Sequence, residues 1–447
     1  MDFSEQFKGK KITVMGLGLL GRGVGDAAYL AECGAEVTVT DLKSEEQLTD
    51  SVEKLKLYPN VRFALNGHKE EDFENVDMVL VAAGVPFDSP YLAHAHKAGV
   101  PLKQSAALFA ELSGIPIIGV TGTRGKSTVT AMVHHVLSVT TGEHIIKGGN
   151  VRGVSNLQLL KEVKEDSLAV LELDSWQLQG FGWAGISPQI VVFTNFMPDH
   201  MNYYKNDMDA YFTDKANIFL HQKESGVFIT VPEVFERAKK MAGTLGQEVV
   251  LVDDSTLPED VLLSMPGEHN RLNAALAVAA LRAVSLTDEE IFTGLASFSG
   301  VEGRLQLLTT VDNVRIYNDN NATTPQATVA ALEALDVGNK NIVLIAGGAD
   351  KGLELLQLTA AIREHCKQTI LIPGTGTERL LAALEGGNST VNRTIAVEDL
   401  QQAVEEARLA AKNGDIILFS PAFSSFSQYN NEYERNDEFV ELVKKYE

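Results

Sequence analysis

The sequence predicts an α/β protein of three domains, and its length, its alternation of strands and helices and two glycine-rich turns support this. At 447 residues the chain is longer than one hydrophobic core usually organises, and roughly 150 residues per domain gives about three units. Short β-branched runs alternate with amphipathic segments, as in parallel sheets covered by helices. We place the domains at residues 1–103, 104–302 and 303–447.

The first domain is predicted to be Rossmann-like, since strands at 11–15, 36–40 and 78–82 alternate with helical segments. The motif Gly16-Leu17-Gly18-Leu19-Leu20-Gly21 follows the first strand, and Asp41 ends the next about 20 residues later. This is the fingerprint of a dinucleotide site, in which the aspartate would bind the ribose hydroxyls of NAD. The motif alone also fits another nucleotide, or a tight turn that binds nothing.

The central domain is predicted to be a mononucleotide-binding domain of the P-loop ATPase type. A strand at 116–120 leads into Thr121-Gly122-Thr123-Arg124-Gly125-Lys126-Ser127-Thr128, and helical spacing of apolar residues follows at 129–139. Backbone N–H groups and the helix dipole at such a junction attract phosphate. Lys126 would neutralise terminal phosphates and Ser127 would bind a phosphate-linked Mg²⁺. Val120 replaces the first glycine of the general loop, and a glycine-rich helix start without a ligand is the alternative.

The last domain is predicted to be Rossmann-like, because strands and helices alternate again after the turn at 300–304. An alanine-rich stretch at 273–284, before this turn, is predicted to be a packed helix. Strands of the central and last domains are predicted at 168–173, 190–193, 314–317, 342–346, 369–372 and 416–419.

The charge and cysteine content exclude several classes of partner and fold. The formal net charge is −22 at pH 7, and an acidic surface without a basic patch repels nucleic acid and anionic membranes. Cys33 and Cys366 suggest neither a disulfide framework nor a metal site, which fits a reducing compartment. The acidic start and short apolar runs fit neither a signal peptide nor a membrane span. We expect a cytoplasmic monomer that acts on small molecules.

Two residues lie at the carboxyl ends of central strands, where α/β proteins bind their ligands. Glu172 is in one of these strands and His200 closely follows another. A glutamate, a histidine and a phosphate oxygen would suit a hydrated Mg²⁺, although imidazole is unusual for this ion and histidines are more often structural. By pattern alone, four further charged residues are predicted to be solvated: Lys215, Arg304, Asp319 and Lys351.

Taken together, the motifs resemble those of the Mur ligase family along nearly the whole chain. Besides the two glycine loops, the matching segments are 149–153, 171–178, 195–200, 267–273, 303–306, 318–325, 347–351 and 420–426. The resemblance implies an ATP-dependent amide ligase of peptidoglycan precursor synthesis, in which ATP phosphorylates a carboxylate and an amine attacks the acyl phosphate. The substrates it implies are UDP-N-acetylmuramoyl-L-alanine and D-glutamate, with L-glutamate or another amino acid as the alternative.

The resemblance also implies roles for individual residues. For ATP it implies Gly122, Thr123, Arg124, Gly125, Lys126, Ser127, Thr128, Asn270, Asn273, Arg304 and Asp319. For two Mg²⁺ ions it implies Ser127, Glu172, His200 and Lys215, the last as a carbamate. The catalytic set it implies is Lys126, Glu172, His200 and Lys215. For the substrates it implies Leu19, Leu20, Asp41 and Lys43 at the uridine nucleotide, Asn150 at the muramoyl part, and Thr323, Lys351 and Ser425 at glutamate.

Three residues depart from the family pattern. Arg124 replaces an asparagine of the phosphate loop, Asn321 replaces a lysine, and Glu432 replaces an aromatic residue with Tyr433 beside it.

Two alternative functions lie outside the ligases. One is an NAD-dependent oxidoreductase built on the first glycine motif, and the other is a nonenzymatic ATP-binding switch. Folylpolyglutamate synthase would share the central loop but gives no reason for a uridine site.

Overall fold

A computed structural model of the chain describes residues 1–446 apart from 19, 20, 87, 260, 262, 264, 337, 386–392 and 427. Within these residues the strands form three sheets with helices between them, which confirms the predicted α/β class. Contacts between residues divide the chain into two compact units, 1–261 with 272–295 and 262–271 with 296–447. The first unit holds two sheets and the second unit holds the third. The domain boundaries after residues 103 and 302 stay predictions.

The first sheet is parallel throughout. Its elements are β1 (Lys11–Met15), α1 (Arg22–Glu32), β2 (Glu36–Thr40), α2 (Thr49–Leu55), β3 (Val61–Ala64), β4 (Met78–Val81), α3 (Pro90–Lys97) and β5 (Leu102–Lys103). The strand order β3-β2-β1-β4-β5 reverses between β1 and β4. Ligands of doubly wound sheets bind outside the strand ends at such a reversal. The predicted strands at 11–15 and 36–40 are confirmed, and the third ends one residue earlier than predicted.

The second sheet is also parallel. Along this part of the chain lie α4 (Ser105–Ser113), β6 (Ile117–Thr121), α5 (Lys126–Thr140), β7 (His144–Gly149), β8 (Ser167–Glu172), α6 (Ser175–Ala184), β9 (Ile190–Phe193), α7 (Met208–Ala216), β10 (Val227–Thr230), α8 (Pro232–Ala242), β11 (Glu248–Leu251), α9 (Glu268–Ala283) and α10 (Asp288–Ala296). The strand order is β11-β10-β9-β6-β8-β7. Val120 of β6 is in register with Glu172 of β8, and Thr121 with Phe193 of β9. The carboxyl ends of these three strands therefore lie side by side.

The third sheet is parallel except where β12 runs antiparallel to β13. Its elements are β12 (Gln306–Val311), β13 (Val314–Asn318), α11 (Pro325–Leu335), β14 (Ile342–Gly347), α12 (Leu356–His365), β15 (Cys366–Ile372), α13 (Thr375–Glu385), β16 (Arg393–Ala396), α14 (Leu400–Ala410), β17 (Ile416–Ala422) and α15 (Glu432–Lys444). The strand order is β12-β13-β17-β14-β15-β16. The four strands predicted here lie within β13, β14, β15 and β17.

Alternation along the central strands places apolar side chains on both faces of the third sheet. Leu344 and Ala346 of β14 pack into one buried cluster, and Val343 and Ile345 pack into another. Such strands are long apolar runs because helices cover both faces. Short 3-10 turns lie at Ser4–Gln6, Glu46–Leu48, Glu70–Phe73, Gln158–Glu162 and Asp254–Thr256. Among the residues described, no helix has both the length and the apolar character needed to cross a bilayer.

Candidate functional site

The predicted phosphate loop joins β6 to α5 and needs glycine at two of its positions. Gly122 has φ 144°, and a Cβ there would lie 1.9 Å from Thr194 Oγ1. Gly125 has φ 81°, and a Cβ there would lie 2.3 Å from Asn273 Oδ1. Both φ values favour glycine, and both sites lack room for a side chain. The loop therefore packs closely on the chain after β9 and on Asn273 of α9.

The segment after β9 holds the loop through hydrogen bonds to backbone and side-chain groups. The Thr123 N–H donates to the Asn195 carbonyl oxygen at 3.0 Å, and the Arg124 N–H donates to Asn195 Oδ1 at 2.8 Å. The Thr123 hydroxyl pairs with the backbone of Met197 at 3.0 Å. Thr123 is buried and Arg124 is exposed. The same segment continues to His200, so the loop and this histidine are positioned together.

Two lysine side chains converge on the backbone of the loop. Lys126 Nζ donates to the carbonyl oxygens of Gly122 at 3.0 Å and Thr123 at 3.1 Å. Lys215 Nζ, from α7, donates to the same Gly122 oxygen at 2.8 Å and lies 3.4 Å from Thr121 Oγ1. The Lys215 side chain is only 1% exposed, so the pattern-based prediction of a solvated lysine was wrong. Burial, together with the charge of Lys126, holds the pKa of Lys215 well below its ordinary value.

Glu172 ends β8 as a buried carboxylate beside Asn150. The Asn150 N–H donates to the Glu172 carbonyl oxygen at 2.6 Å, and Asn150 Nδ2 donates to Glu172 Oε1 at 3.3 Å. Arg22 Nη1, at the start of α1, donates to Asn150 Oδ1 at 2.7 Å. The structure thus joins a predicted substrate residue to a predicted metal ligand. Sequence analysis missed Arg22, whose only signal was its place directly after the first glycine motif.

His200 lies against an aromatic cluster. Its ring centroid is 4.5 Å from that of Trp176 and 6.2 Å from that of Tyr211. Partial burial lowers the pKa of His200, Asp199 opposes this effect, and Lys126 adds to it. A lowered pKa favours neutral imidazole, the form that binds metals. Trp176 belongs to a segment that matched the family, but no pattern marked it as a neighbour of His200.

Two of the four predicted metal ligands, Ser127 and Glu172, are oxygen donors. Ser127 is half-buried in the first turn of α5, and the charges of Asp174, Asp199 and Glu172 all act on Lys215. No group of three His, Cys, Asp or Glu side chains suited to a metal was found within the described part of the chain. A cation here would therefore depend on the serine hydroxyl, on phosphate oxygens or on a modified lysine as well as on Glu172 and His200.

The first glycine motif borders a cavity of about 160 Å³ whose lining includes Gly16, Gly18 and Arg22. Asp41 is buried at the end of β2. Its Oδ2 accepts the Leu17 N–H at 2.8 Å and its Oδ1 accepts the Lys43 N–H at 2.9 Å. The carboxylate therefore fixes the turns after β1 and β2. Lys43 is half-buried, and the predicted substrate residues Leu19 and Leu20 lie outside the described residues.

Asp319, like Asn270, is a buried member of the predicted ATP residues of the second unit. It is 8% exposed, so the pattern-based prediction of a solvated aspartate was wrong. It accepts the Leu305 N–H at 3.0 Å and the Ser420 hydroxyl at 2.8 Å. Burial raises the pKa of Asp319 to about 7, and Arg304 opposes the rise. Asn270 Nδ2 donates to the Pro266 carbonyl oxygen at 2.8 Å.

Two of the predicted glutamate residues lie together in the second unit. Lys351 Nζ donates to Thr323 Oγ1 at 3.0 Å. Ser425 is 2% exposed, and its hydroxyl has no hydrogen-bond partner among the described residues. A buried hydroxyl without a partner is costly unless a ligand or water satisfies it.

Two of the three departures from the family pattern, Asn321 and Glu432, make hydrogen bonds that involve the backbone of the second unit. Asn321 Nδ2 donates to the Glu302 carbonyl oxygen at 3.2 Å, and Asn320 Nδ2 donates to the Glu432 carbonyl oxygen at 2.8 Å. The N–H groups of the neighbouring residues Tyr433 and Glu434 donate to Asn431 Oδ1, which caps the start of α15. These contacts place Asn321 and Glu432 but show no substitute for the missing lysine or aromatic ring.

Comparison with known proteins covers the chain from end to end. Three family models match: the Mur ligase MurD-like N-terminal domain at residues 10–104, the Mur ligase middle domain at 120–257, and the Mur ligase glutamate ligase domain at 303–423. The UDP-N-acetylmuramoylalanine--D-glutamate ligase of Roseiflexus sp. (strain RS-1) is 36% identical, with 99% of this chain and 100% of that protein aligned. The protein of the same name from Borreliella burgdorferi (strain ZS7) is 33% identical, with 98% of each aligned.

A solved structure shares the fold at lower identity. The UDP-N-acetylmuramate-alanine ligase MurC of Thermotoga maritima superimposes with a TM-score of 0.63 at 20% identity. The match covers 98% of this chain and 100% of that one. At this identity the likeness shows a common fold along both chains.

Proposed function

The chain belongs to the Mur ligase family, and we propose that it joins D-glutamate to UDP-N-acetylmuramoyl-L-alanine while ATP is converted to ADP and phosphate. Members of this family are ATP-dependent amide ligases of peptidoglycan precursor synthesis. Full-length relatives named for this reaction support the proposal over the NAD-dependent alternative. The observation that supports it best is the position of Lys126, whose ammonium lies against the Gly122 carbonyl oxygen at the phosphate loop, because this reaction concentrates negative charge.

In the proposed reaction, a carboxylate oxygen of UDP-N-acetylmuramoyl-L-alanine attacks the γ-phosphorus of ATP, and the bond from that phosphorus to ADP breaks. The amino group of glutamate then attacks the acyl carbon and loses a proton, and inorganic phosphate leaves. Negative charge develops beside the loop in both steps. The Lys126 ammonium would stabilise the terminal phosphates, and the N–H groups at the start of α5 would add fixed partial positive charge.

On the ATP side, we propose Gly122 to Thr128 together with four residues of later segments. Asn273 already reaches the loop, since its Oδ1 blocks any side chain at Gly125. The others in this set are Asn270, Arg304 and Asp319. The raised pKa of Asp319 favours its protonated form near neutral pH, in which the carboxyl group can donate a hydrogen bond.

We propose that Ser127, Glu172, His200 and a carbamylated Lys215 hold two Mg²⁺ ions. The hydroxyl, the buried carboxylate and the carbamate are oxygen donors of the kind that Mg²⁺ prefers. When bound, these ions would neutralise charge on the phosphate oxygens. The lowered pKa of Lys215 favours the neutral amine, which forms a carbamate when its nitrogen bonds to CO₂ and releases a proton. The modification would replace a buried cation with anionic oxygens.

For the nucleotide substrate we propose Leu19, Leu20, Asp41 and Lys43 at the uridine part and Asn150 at the muramoyl part. For glutamate we propose Thr323, Lys351 and Ser425. An ammonium and two hydroxyls suit a dicarboxylate, and the unsatisfied Ser425 hydroxyl is available to a ligand. Because Asn321 replaces a lysine and Glu432 an aromatic ring, L-glutamate or another amino acid stays the alternative acceptor.

The test is phosphate release by the purified protein with ATP, Mg²⁺, UDP-N-acetylmuramoyl-L-alanine and one glutamate enantiomer at a time, with the product identified by mass. We expect release and an amide product with D-glutamate. Lys126→Ala should lower turnover by at least roughly 10²–10³-fold, while Lys240→Ala, on the exposed side of α8, should not. Product with L-glutamate alone would assign the other enantiomer. No product with any amino acid would refute the ligase.

The proposal includes a cytoplasmic monomer. ATP and nucleotide-linked sugars are cytoplasmic metabolites, and each proposed site is formed by residues of a single chain. Both cysteines are buried thiols without a disulfide, as expected in a reducing compartment. Light scattering from the purified protein would show a mass near 48.5 kDa if it is a monomer and a multiple of this mass if it is not.

A further inference from the structure

One face of α1 binds the segment that carries Asn150. Arg22 donates to Asn150 Oδ1, the Gly25 carbonyl oxygen accepts Gln158 Nε2 at 3.2 Å, and Asp26 Oδ1 accepts the Ser155 hydroxyl at 2.6 Å. Residues 22, 25 and 26 share a face because they are three and four positions apart. A Cβ at Gly25 would lie 2.5 Å from Ser155 Cβ, so the helix and the segment are in close contact. The helix after the first glycine motif thus fixes the position of Asn150.

The amide of Asn150 has one orientation that satisfies both of its neighbours. A guanidinium can only donate hydrogen bonds and an ionised carboxylate can only accept them. With Oδ1 toward Arg22 and Nδ2 toward Glu172, Asn150 bonds to both, at 2.7 Å and 3.3 Å. The reverse orientation would turn a donor toward the guanidinium and an acceptor toward the carboxylate. Arg22 therefore sets which way the amide points.

Arg22 is also placed to meet an anion. It is the one cationic side chain that the described residues contribute to the cavity lining beside the first glycine motif, where Asp26 is also found. It occupies the first position of α1, where a cation is disfavoured by the helix dipole unless an anion is bound. A chain with net charge −22 would repel a diphosphate without such a local cation.

We infer that Arg22 binds the diphosphate of the nucleotide-linked substrate and, through the same guanidinium, holds Asn150 in the orientation that keeps its amide on Glu172. The inference rests on the proposed function, because it takes a uridine diphosphate derivative as the occupant of the cavity. Arg22 is a substrate-binding residue in its contact with the diphosphate and a positioning residue in its action on Asn150. Binding of the nucleotide substrate is thereby linked to the side chain of Glu172.

Calorimetric titration of UDP into the full-length protein tests the contact with the diphosphate. Arg22→Leu should weaken UDP binding by roughly 10- to 100-fold, as loss of a charge-assisted hydrogen bond would. Displacement measurements with uridine, which lacks phosphate, should show less than roughly a threefold change because no charge is lost. Arg22→Lys keeps the charge and should lie between wild type and Arg22→Leu. Arg282→Leu is the matched control, since Arg282 forms an exposed ion pair with Asp288 at 2.8 Å.

A double-mutant cycle with UDP-N-acetylmuramoyl-L-alanine tests the link to Asn150. Affinity is measured for Arg22→Leu, Asn150→Ala and the double variant. If Arg22 orients Asn150, the double variant should lose less affinity than the product of the two single losses, by about threefold or more. Multiplicative losses would overturn the link. Unchanged UDP affinity in both Arg22 variants, or an equal loss for uridine and UDP, would overturn the diphosphate contact.

These outcomes are separable from those that test the ligase. If wild type binds UDP and forms product while both Arg22 variants bind UDP as wild type does, the inference fails and the proposed function stands. If wild type forms no product with any amino acid, the proposed function fails whatever the affinities are. Melting temperatures of all variants, measured alongside, show whether Arg22→Leu folds, and Arg22→Lys preserves the test if it does not.

Discussion

Replacing Lys215 with alanine would remove a buried amine that contacts the backbone of the phosphate loop. Its Nζ donates to the Gly122 carbonyl oxygen at 2.8 Å, and loss of this hydrogen bond costs about 0.5–1.5 kcal/mol because Lys126 still donates to the same oxygen. At about 2–4 °C per kcal/mol, the melting temperature should fall by roughly 1–6 °C. Turnover should fall further in relative terms, by at least roughly 10–100-fold, because the proposed carbamate oxygens are lost. This variant should therefore lose most of its turnover while it loses only a small part of its thermal stability.

Rescue by added acids distinguishes the carbamate from a purely structural lysine. Lys215→Ala leaves space where acetate, propionate or butyrate can place a carboxylate close to the lost carbamate, so phosphate release should partly recover with these acids. Lys215→Met fills the same space without a nitrogen and is the matched control, which should show no recovery. The measurement is phosphate release against acid concentration in both variants. Equal recovery in both, or none in Lys215→Ala, would refute the carbamate.

Gly122→Ala should weaken ATP binding at least roughly tenfold, since strained backbone alone costs about 1–3 kcal/mol and the new Cβ would lie 1.9 Å from Thr194 Oγ1. Gly142→Ala, at φ 69° with no atom within 4 Å of its Cβ, is the control, and equal ATP affinity of the two variants by calorimetry would contradict the steric reasoning. Burial raises the pKa of Asp319 from 3.8 to about 7, so its contribution to the free energy of unfolding is full below pH 3.8 and is lost as the pH rises through about 7. Asp319→Asn should flatten the decline in melting temperature over this range, and a pH profile parallel to that of wild type would count against the buried acid.

The strands that the sequence predicted are interior strands of the three sheets. β1, β6, β9 and β14 are near-continuous apolar runs because helices cover both sides of a parallel sheet. Most strands that were not predicted lie at sheet edges within the described residues, namely β3, β5, β7, β11, β12 and β16. An edge strand is paired on one side and needs fewer apolar residues. Its existence depends on a neighbour distant in sequence, which local pattern does not contain.

In the candidate site, too, the features formed by residues adjacent in sequence were predictable, and the contacts between distant residues were not. The phosphate loop was predictable because its glycines, lysine and serine are adjacent in sequence and β6 and α5 flank them. The burial of Lys215 was not, since its contact with Gly122 joins residues 93 positions apart. The Arg22 contact with Asn150 spans 128 positions. The spacing of residues within a helix does not show which other element packs on that helix. For Lys215, only the resemblance to a family predicted a place in the candidate site.

Asp41 shows why the first glycine motif does not identify its nucleotide. In the dinucleotide fingerprint the acidic residue binds ribose hydroxyls, but here its two oxygens accept N–H groups of Leu17 and Lys43. The carboxylate thus fixes the turns after β1 and β2 and leaves the identity of the nucleotide to surrounding groups, of which we propose that Arg22 is one. A cation at the start of α1 would attract NAD as well as a UDP derivative. Its hydrogen bond to Asn150 would matter for the proposed ligase, in which the nucleotide-linked substrate would react beside Glu172.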